Sequence, residues 1–177
     1  MQKILTKYQW IIVLAVMLIV NLGYYRVFWR EIFNDNPEIE ARYGEVIAAE
    51  MSMEQVYQNI SEAKSPFSLR TDEFYPFGTS FTTTDPGNGL YFAILRPFMS
   101  THQAMIAISM ASIFMSSVGM YVLLRLLRIQ SLIALVLGIA FAYTTFLLPR
   151  AGHLTYFSIY VFPWFFVCSF LSLHSIK

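Results

Sequence analysis

Acidic residues are missing from most of this chain. All 11 Asp and Glu lie between Glu31 and Asp85. Charge of either sign is scarce: 13% of the 177 residues are charged, against roughly 25% in soluble domains. That deficit marks a membrane protein. Cysteine is nearly absent as well. Cys168 stands alone, which excludes an internal disulfide and a paired-thiolate metal site. Basic clusters are lacking and the net charge is +1, so the chain has no electrostatic footprint for nucleic acid. No phosphate-cradling glycine loop, nucleophile elbow or HExxH motif occurs. No acidic group sits within an apolar run, which disfavours an ion-coupled carrier.

What the chain has instead is apolar length. Hydrophobic residues make up 56% of it, and its mean hydropathy is +0.53. The runs Tyr8 to Phe28, Thr101 to Leu124, Gln130 to Pro149 and Leu154 to Leu173 contain no Asp or Glu. A hydrocarbon core about 30 Å thick takes about 20 apolar residues as helix. The expected fold is therefore all-α: one membrane module over 1–177, with transmembrane helices at 8–28, 101–124, 130–149 and 154–173. Residues 29–100 form a long loop. The first run follows Lys3 and Lys7, as a signal peptide would, but no small-x-small cleavage site follows it. It reads as an uncleaved span. Lys3, Lys7, Arg125, Arg128 and Lys177 fall on one side of this arrangement, and Arg26, Arg30, Arg96 and Arg150 on the other. The short RLLR turn tips the balance toward cytoplasmic termini and an exported loop. Pro163 is expected to kink the fourth span.

The loop begins with helix signals. Asn36-Pro37 is a capping side chain followed by proline, with Glu38 and Glu40 in the first turn. Ile39, Tyr43, Val46, Met53, Tyr57 and Ile60 then trace one apolar stripe. Glu50 interrupts it, and Ser52 with Gln55 matches a capping box. The expectation is two short amphipathic helices, about Pro37 to Met51 and Met53 to Ala63. Two placements fit them: flat on the membrane surface, or packed on other parts of the protein. Asp85-Pro86-Gly87-Asn88-Gly89 reads as a turn. Asn59-Ile60-Ser61 matches a glycosylation acceptor, a pattern common by chance.

Candidate chemistry sits at the membrane boundaries. Asp35 follows the first span closely. It either caps a turn or serves as a general base on a hydroxyl or a metal ligand. Glu31 is a second choice beside Arg30. Arg150 and His153 lie between the third and fourth runs. There they either snorkel and cap, or bind a lipid-borne phosphate. Asp72 and Glu73 read as a solvated pair, Asp85 as a turn residue, and His102 and His174 as span-end residues. No metal-ligand spacing is present, so a divalent cation is open without a defined ligand set.

The order of these parts resembles the N-terminal portion of the GT-C superfamily, the multi-span glycosyltransferases that use polyprenyl-phosphate sugars. The likeness is to bacterial mannosyltransferase-like membrane proteins. It rests on Ser65-Pro66-Phe67, on Tyr75 to Gly78, and on Gly152-His153-Leu154 after the third span. The resemblance implies sugar transfer from a lipid-phosphate donor to an acceptor, on the exported face of the inner membrane. A carboxylate early in the first exported loop would be base or metal ligand. By position this is Asp35, with Glu31, Arg150 and His153 toward substrate. The turn between the third and fourth spans offers no second carboxylate. Family members have many more spans, so the chain is expected to need further C-terminal spans or a companion subunit for activity. The rival expectation is a non-catalytic assembly or lipid-binding protein whose amphipathic loop contacts a partner.

Overall fold

The computed structural model describes residues 2–24, 26, 44–65, 70–71, 79–80, 86–143 and 160–175. These are helical except for turns and one pair of two-residue strands. The helices are α1 (Gln2–Tyr24), α2 (Gly44–Ser61), α3 (Pro86–Leu95), α4 (Thr101–Leu126), α5 (Ser131–Ala142) and α6 (Val161–Ser175). Strands β1 (Arg70–Thr71) and β2 (Thr79–Ser80) pair antiparallel, Arg70 opposite Ser80 and Thr71 opposite Thr79. The all-α expectation holds for the described residues.

Among them, α4 is the helix long and apolar enough to cross a membrane. Its 26 residues rise about 39 Å, more than a hydrocarbon core of about 30 Å. Shorter apolar stretches run over Tyr8–Gly23, Ser131–Ala142 and Val161–Leu173. The third expected span is described as helix only to Ala142, and the fourth only from Val161.

The described residues fall into two compact units. The first holds α1, α5, α6 and α4 from Met110 onward. Its core is Val13 and Met17 of α1, Tyr121 of α4 and Ala134 of α5. Trp10 meets the Tyr121 ring edge-on, with centroids 5.2 Å apart. The helices approach closely because small residues face one another. Ala134, Gly138 and Ala142 are all buried on one side of α5. A Cβ on Gly138 would lie 2.8 Å from the Ser117 carbonyl oxygen and 3.3 Å from the Tyr121 nitrogen. Small residues of this kind let membrane helices pack where hydrophobic exclusion supplies little drive. Ser112, Ser116 and Ser117 are buried on α4. Ser116 and Ser117 donate to Ser112 O (2.9 Å) and Ile113 O (3.2 Å), so their hydroxyls are satisfied within their own helix.

Among the described residues, Pro163 kinks no helix. It lies in the first turn of α6, where the missing N–H would have had no helical acceptor. It is fully buried, and with Trp164 it fills the space that a side chain at Gly119 would need. Trp164 Nε1 donates to Met115 O at 3.1 Å.

The second unit holds α2, the strand pair, α3 and the start of α4 up to Ser109. Here two expectations fail. The segment from Gly44 to Ser61 is one continuous helix, with no break at Glu50 or Ser52. Its buried line is Ser52, Met53, Val56 and Asn59, while Ile60 is exposed, so the apolar stripe is rotated from the one expected. Residues 37–43 lie outside the described residues. The Pro86 to Gly89 turn is instead the first turn of α3, with proline at its first helical position. Gly89 is where α3 meets α2. A Cβ there would sit 3.1 and 3.2 Å from the two methyls of Val56. The apolar side of α2 is thus packed on α3. Asn59 is buried and accepts from Gln55 Nε2 at 3.0 Å, a poor glycosylation acceptor in the folded chain.

Helices α2 and α4 end alike. Lys64 N bonds Asn59 O and Ala63 N bonds Ile60 O, with Ala63 at φ 55°. Ile129 N bonds Leu124 O and Arg128 N bonds Arg125 O, with Arg128 at φ 64°. Both are Schellman closures, with a non-glycine residue in the left-handed position.

Candidate functional site

Helix α4 has no acidic residue in its first turn. Its capping comes from Ser100 and Gln103. Gln103 N donates to Ser100 Oγ at 3.3 Å, and Ser100 N donates to Gln103 Oε1 at 3.1 Å. This is a reciprocal capping box. Negative charge, which the positive end of a helix favours, is supplied by α2. Glu50 and Glu54 stand one turn apart on α2 and both reach the first turn of α4. Glu54 Oε2 accepts from Thr101 Oγ1 at 3.0 Å and from Arg96 Nε at 2.8 Å. Glu50 Oε1 accepts from His102 Nδ1 at 3.1 Å.

Arg96 is held on three sides. Besides Glu54, its Nη1 donates to Met99 O at 3.3 Å, and its guanidinium lies 5.7 Å from the Tyr57 ring centroid. It opens the short 3-10 turn Arg96–Phe98, after which Met99 is extended (φ −153°, ψ 165°) and breaks the chain direction before α4. The turn therefore aims Arg96 back at α2 while Thr101 and His102 begin α4. The Glu50–His102 pair is the more enclosed, both side chains being 13% exposed, against 26% for Glu54 and 31% for Arg96.

Chemically, the cluster offers a carboxylate that orients an imidazole, and beside it a carboxylate neutralised by a guanidinium. A neutral imidazole donating from Nδ1 keeps a lone pair on Nε2. No three His, Cys, Asp or Glu side chains gather at metal-binding distance among the described residues.

A cavity of about 250 Å³ in the first unit is lined by Gln9, Trp10, Tyr121, Val122, Arg125 and Leu126. Its one charged group, Arg125, already donates Nη1 to Ile129 O at 2.6 Å. It is the weaker candidate.

Comparisons with protein-family models, with characterised proteins and with solved structures return no match.

Asp35, Glu31, Arg150 and His153, the sequence candidates, all lie outside the described residues. The residues that the structure brings together are others. Glu50 was the sign of a helix break and His102 a span end. The available signal was the apolar stripe itself. A carboxylate on a stripe, with a second one turn later, marks a buried acidic pair that needs partners.

Proposed function

We propose that this chain is a four-span, multi-pass membrane module, the N-terminal part of a GT-C-like glycosyltransferase. It moves a sugar from a polyprenyl-phosphate donor on the exported face of the membrane, with both termini cytoplasmic. Helices α1, α4, α5 and α6 carry the apolar runs of the four spans. Ile11, Ile12, Ile19, Leu132, Val136, Phe162 and Phe165 are exposed on them, a surface that suits lipid better than water.

The observation that carries the reading is the position of the polar cluster. Glu50, Glu54, Arg96 and His102 converge on the first turn of a span-length helix. That is the depth at which a polyprenyl phosphate presents its head group. Acid–base groups and a guanidinium gathered there suit transfer to a hydroxyl with departure of a phosphate. In this reading Asp35 is a further acidic group of the site, and Glu31, Arg150 and His153 contact substrate.

The test is transfer of labelled sugar from a polyprenyl-phosphate donor, in membranes holding the chain with its completing spans. Asp35→Ala is expected to reduce the rate at least about 100-fold, as loss of an acid–base group of the site does. An unaltered rate refutes the assignment of Asp35. Loss of partner capture on charge-neutral changes across 29–100, with transfer absent throughout, replaces the reading with a non-catalytic assembly protein.

A further inference from the structure

We infer that Glu50 and His102 form a proton-transfer dyad in which His102 Nε2, rather than Asp35, removes the proton from the acceptor hydroxyl. The substrate class rests on the sugar-transfer reading above; the dyad rests on geometry alone.

The two side chains come from different helices and meet at 3.1 Å through Nδ1 and Oε1. A carboxylate accepts only, so the hydrogen between them is on Nδ1. In the neutral ring that bond fixes the tautomer and puts the lone pair on Nε2. A carboxylate behind an imidazole fixes a base in this way in other hydrolytic and transfer sites. The imidazole is also held mechanically. It is the second residue of a helix whose start is locked by the Ser100–Gln103 box. Glu50 is six residues from the Val56–Gly89 contact that clamps α2 on α3. Nε2 has no hydrogen-bond partner among the described residues, although the side chain is only 13% exposed.

The neighbouring charges suit the step. Glu54 is neutralised by Arg96 at 2.8 Å and occupied by Thr101 at 3.0 Å. It therefore does not compete with Glu50 for His102. In the step, the acceptor oxygen forms a bond to the anomeric carbon. The bond from that carbon to the phosphate oxygen breaks, and polyprenyl phosphate departs with the electron pair. The hydroxyl proton moves to Nε2, and the resulting imidazolium is stabilised by Glu50. No oxidant, reductant or further reactant enters.

Two measurements test this. The first needs no substrate: ¹⁵N NMR of histidine-labelled full-length protein in nanodiscs. His102 is expected as the Nδ1–H tautomer in the wild type, and in Glu50→Gln the populations shift toward Nε2–H. A tautomer unchanged by Glu50→Gln overturns the dyad. The second is chemical rescue of sugar transfer. His102→Ala is expected to lose about 10² to 10⁴-fold in rate, and added imidazole restores at least a tenth of it. Imidazole does not restore Asp35→Ala. Loss without rescue in His102→Ala makes the residue structural and overturns its role as base. If the wild type transfers no sugar, the transferase reading falls, and the NMR result alone upholds or overturns the dyad.

Discussion

Tyr143 donates its hydroxyl to Asn21 Oδ1 at 2.8 Å, joining residues 122 positions apart. The same amide donates Nδ2 to Met110 O at 3.0 Å. One buried asparagine on α1 thus ties the end of α5 to the middle of α4. In the four-span reading this is a bond between membrane helices, of a kind worth about 0.6 kcal/mol on average and about 1.7 kcal/mol at most. This one is expected near the upper figure because Asn21 uses both ends of its amide. A double-mutant cycle of Tyr143→Phe with Asn21→Leu, read by unfolding in bicelles, measures the coupling. Additive effects would show that the pair contributes nothing.

The left-handed residues at two helix ends give a stabilising prediction. Ala63 (φ 55°) and Arg128 (φ 64°) occupy positions that glycine fills without a Cβ penalty. The left-handed conformation costs an L-residue roughly 1–2 kcal/mol, from which the extra backbone freedom of an unfolded glycine subtracts. Ala63→Gly is therefore expected to raise stability by about 0.5–1 kcal/mol. Arg128→Gly gains less, since it also removes a basic residue that suits a helix C-terminus. Denaturant midpoints of the two variants check the order.

Three glycines predict three different outcomes on substitution by alanine. At Gly23 nothing lies within 4 Å, so Gly23→Ala is neutral or stabilising. At Gly89 the new Cβ meets the Val56 methyls at 3.1 and 3.2 Å. Valine is stiff about its first torsion, so the cost is about 1–3 kcal/mol, and Val56→Ala should relieve it. At Gly138 the obstacle is the backbone oxygen of Ser117 at 2.8 Å, which cannot rotate away. Gly138→Ala is expected to cost the most, and no single side-chain change rescues it. Thermal midpoints of the set give the ranking directly.

Two ion pairs should differ in worth. Lys64 and Glu62 are 62% and 56% exposed, and solvent screening leaves such a pair little to contribute. Glu62→Gln is expected to be silent. Arg96 and Glu54 are about half as exposed, and Glu54 also holds Thr101. Glu54→Gln therefore loosens α2 from the head of α4. Faster amide exchange at Thr101 and His102, with Ser116 and Ser117 unchanged, is the expected signature.

The comparison of the two S-x-x-Q segments shows how far the sequence could be read. Ser52-Met53-Glu54-Gln55 and Ser100-Thr101-His102-Gln103 carry the same local signal. Only the second caps a helix. The difference lies upstream. Met99 is extended after the Arg96–Phe98 turn, which leaves Ser100 free to start a helix. Ser52 follows residues already helical from Gly44, and nothing between them forces a break. The span-length helix at 101–126 was legible because apolar length is a sum over many residues. The rotation of the α2 stripe was not. It follows from the notch at Gly89, more than thirty positions away, and pairwise contact at that range leaves no periodic trace. Glu50 was misread for the same reason. Its partner, His102, is 52 positions off.

The capping box at Ser100 and Gln103 has a consequence for biosynthesis. The start of α4 is set by residues contiguous with it, and not by the helices it later packs against. As the chain leaves the ribosome, that boundary is defined before Tyr121 or Arg125 has been added. In the four-span reading the apolar segment enters the bilayer with that edge already fixed, and the depth of His102 is decided at insertion rather than during assembly.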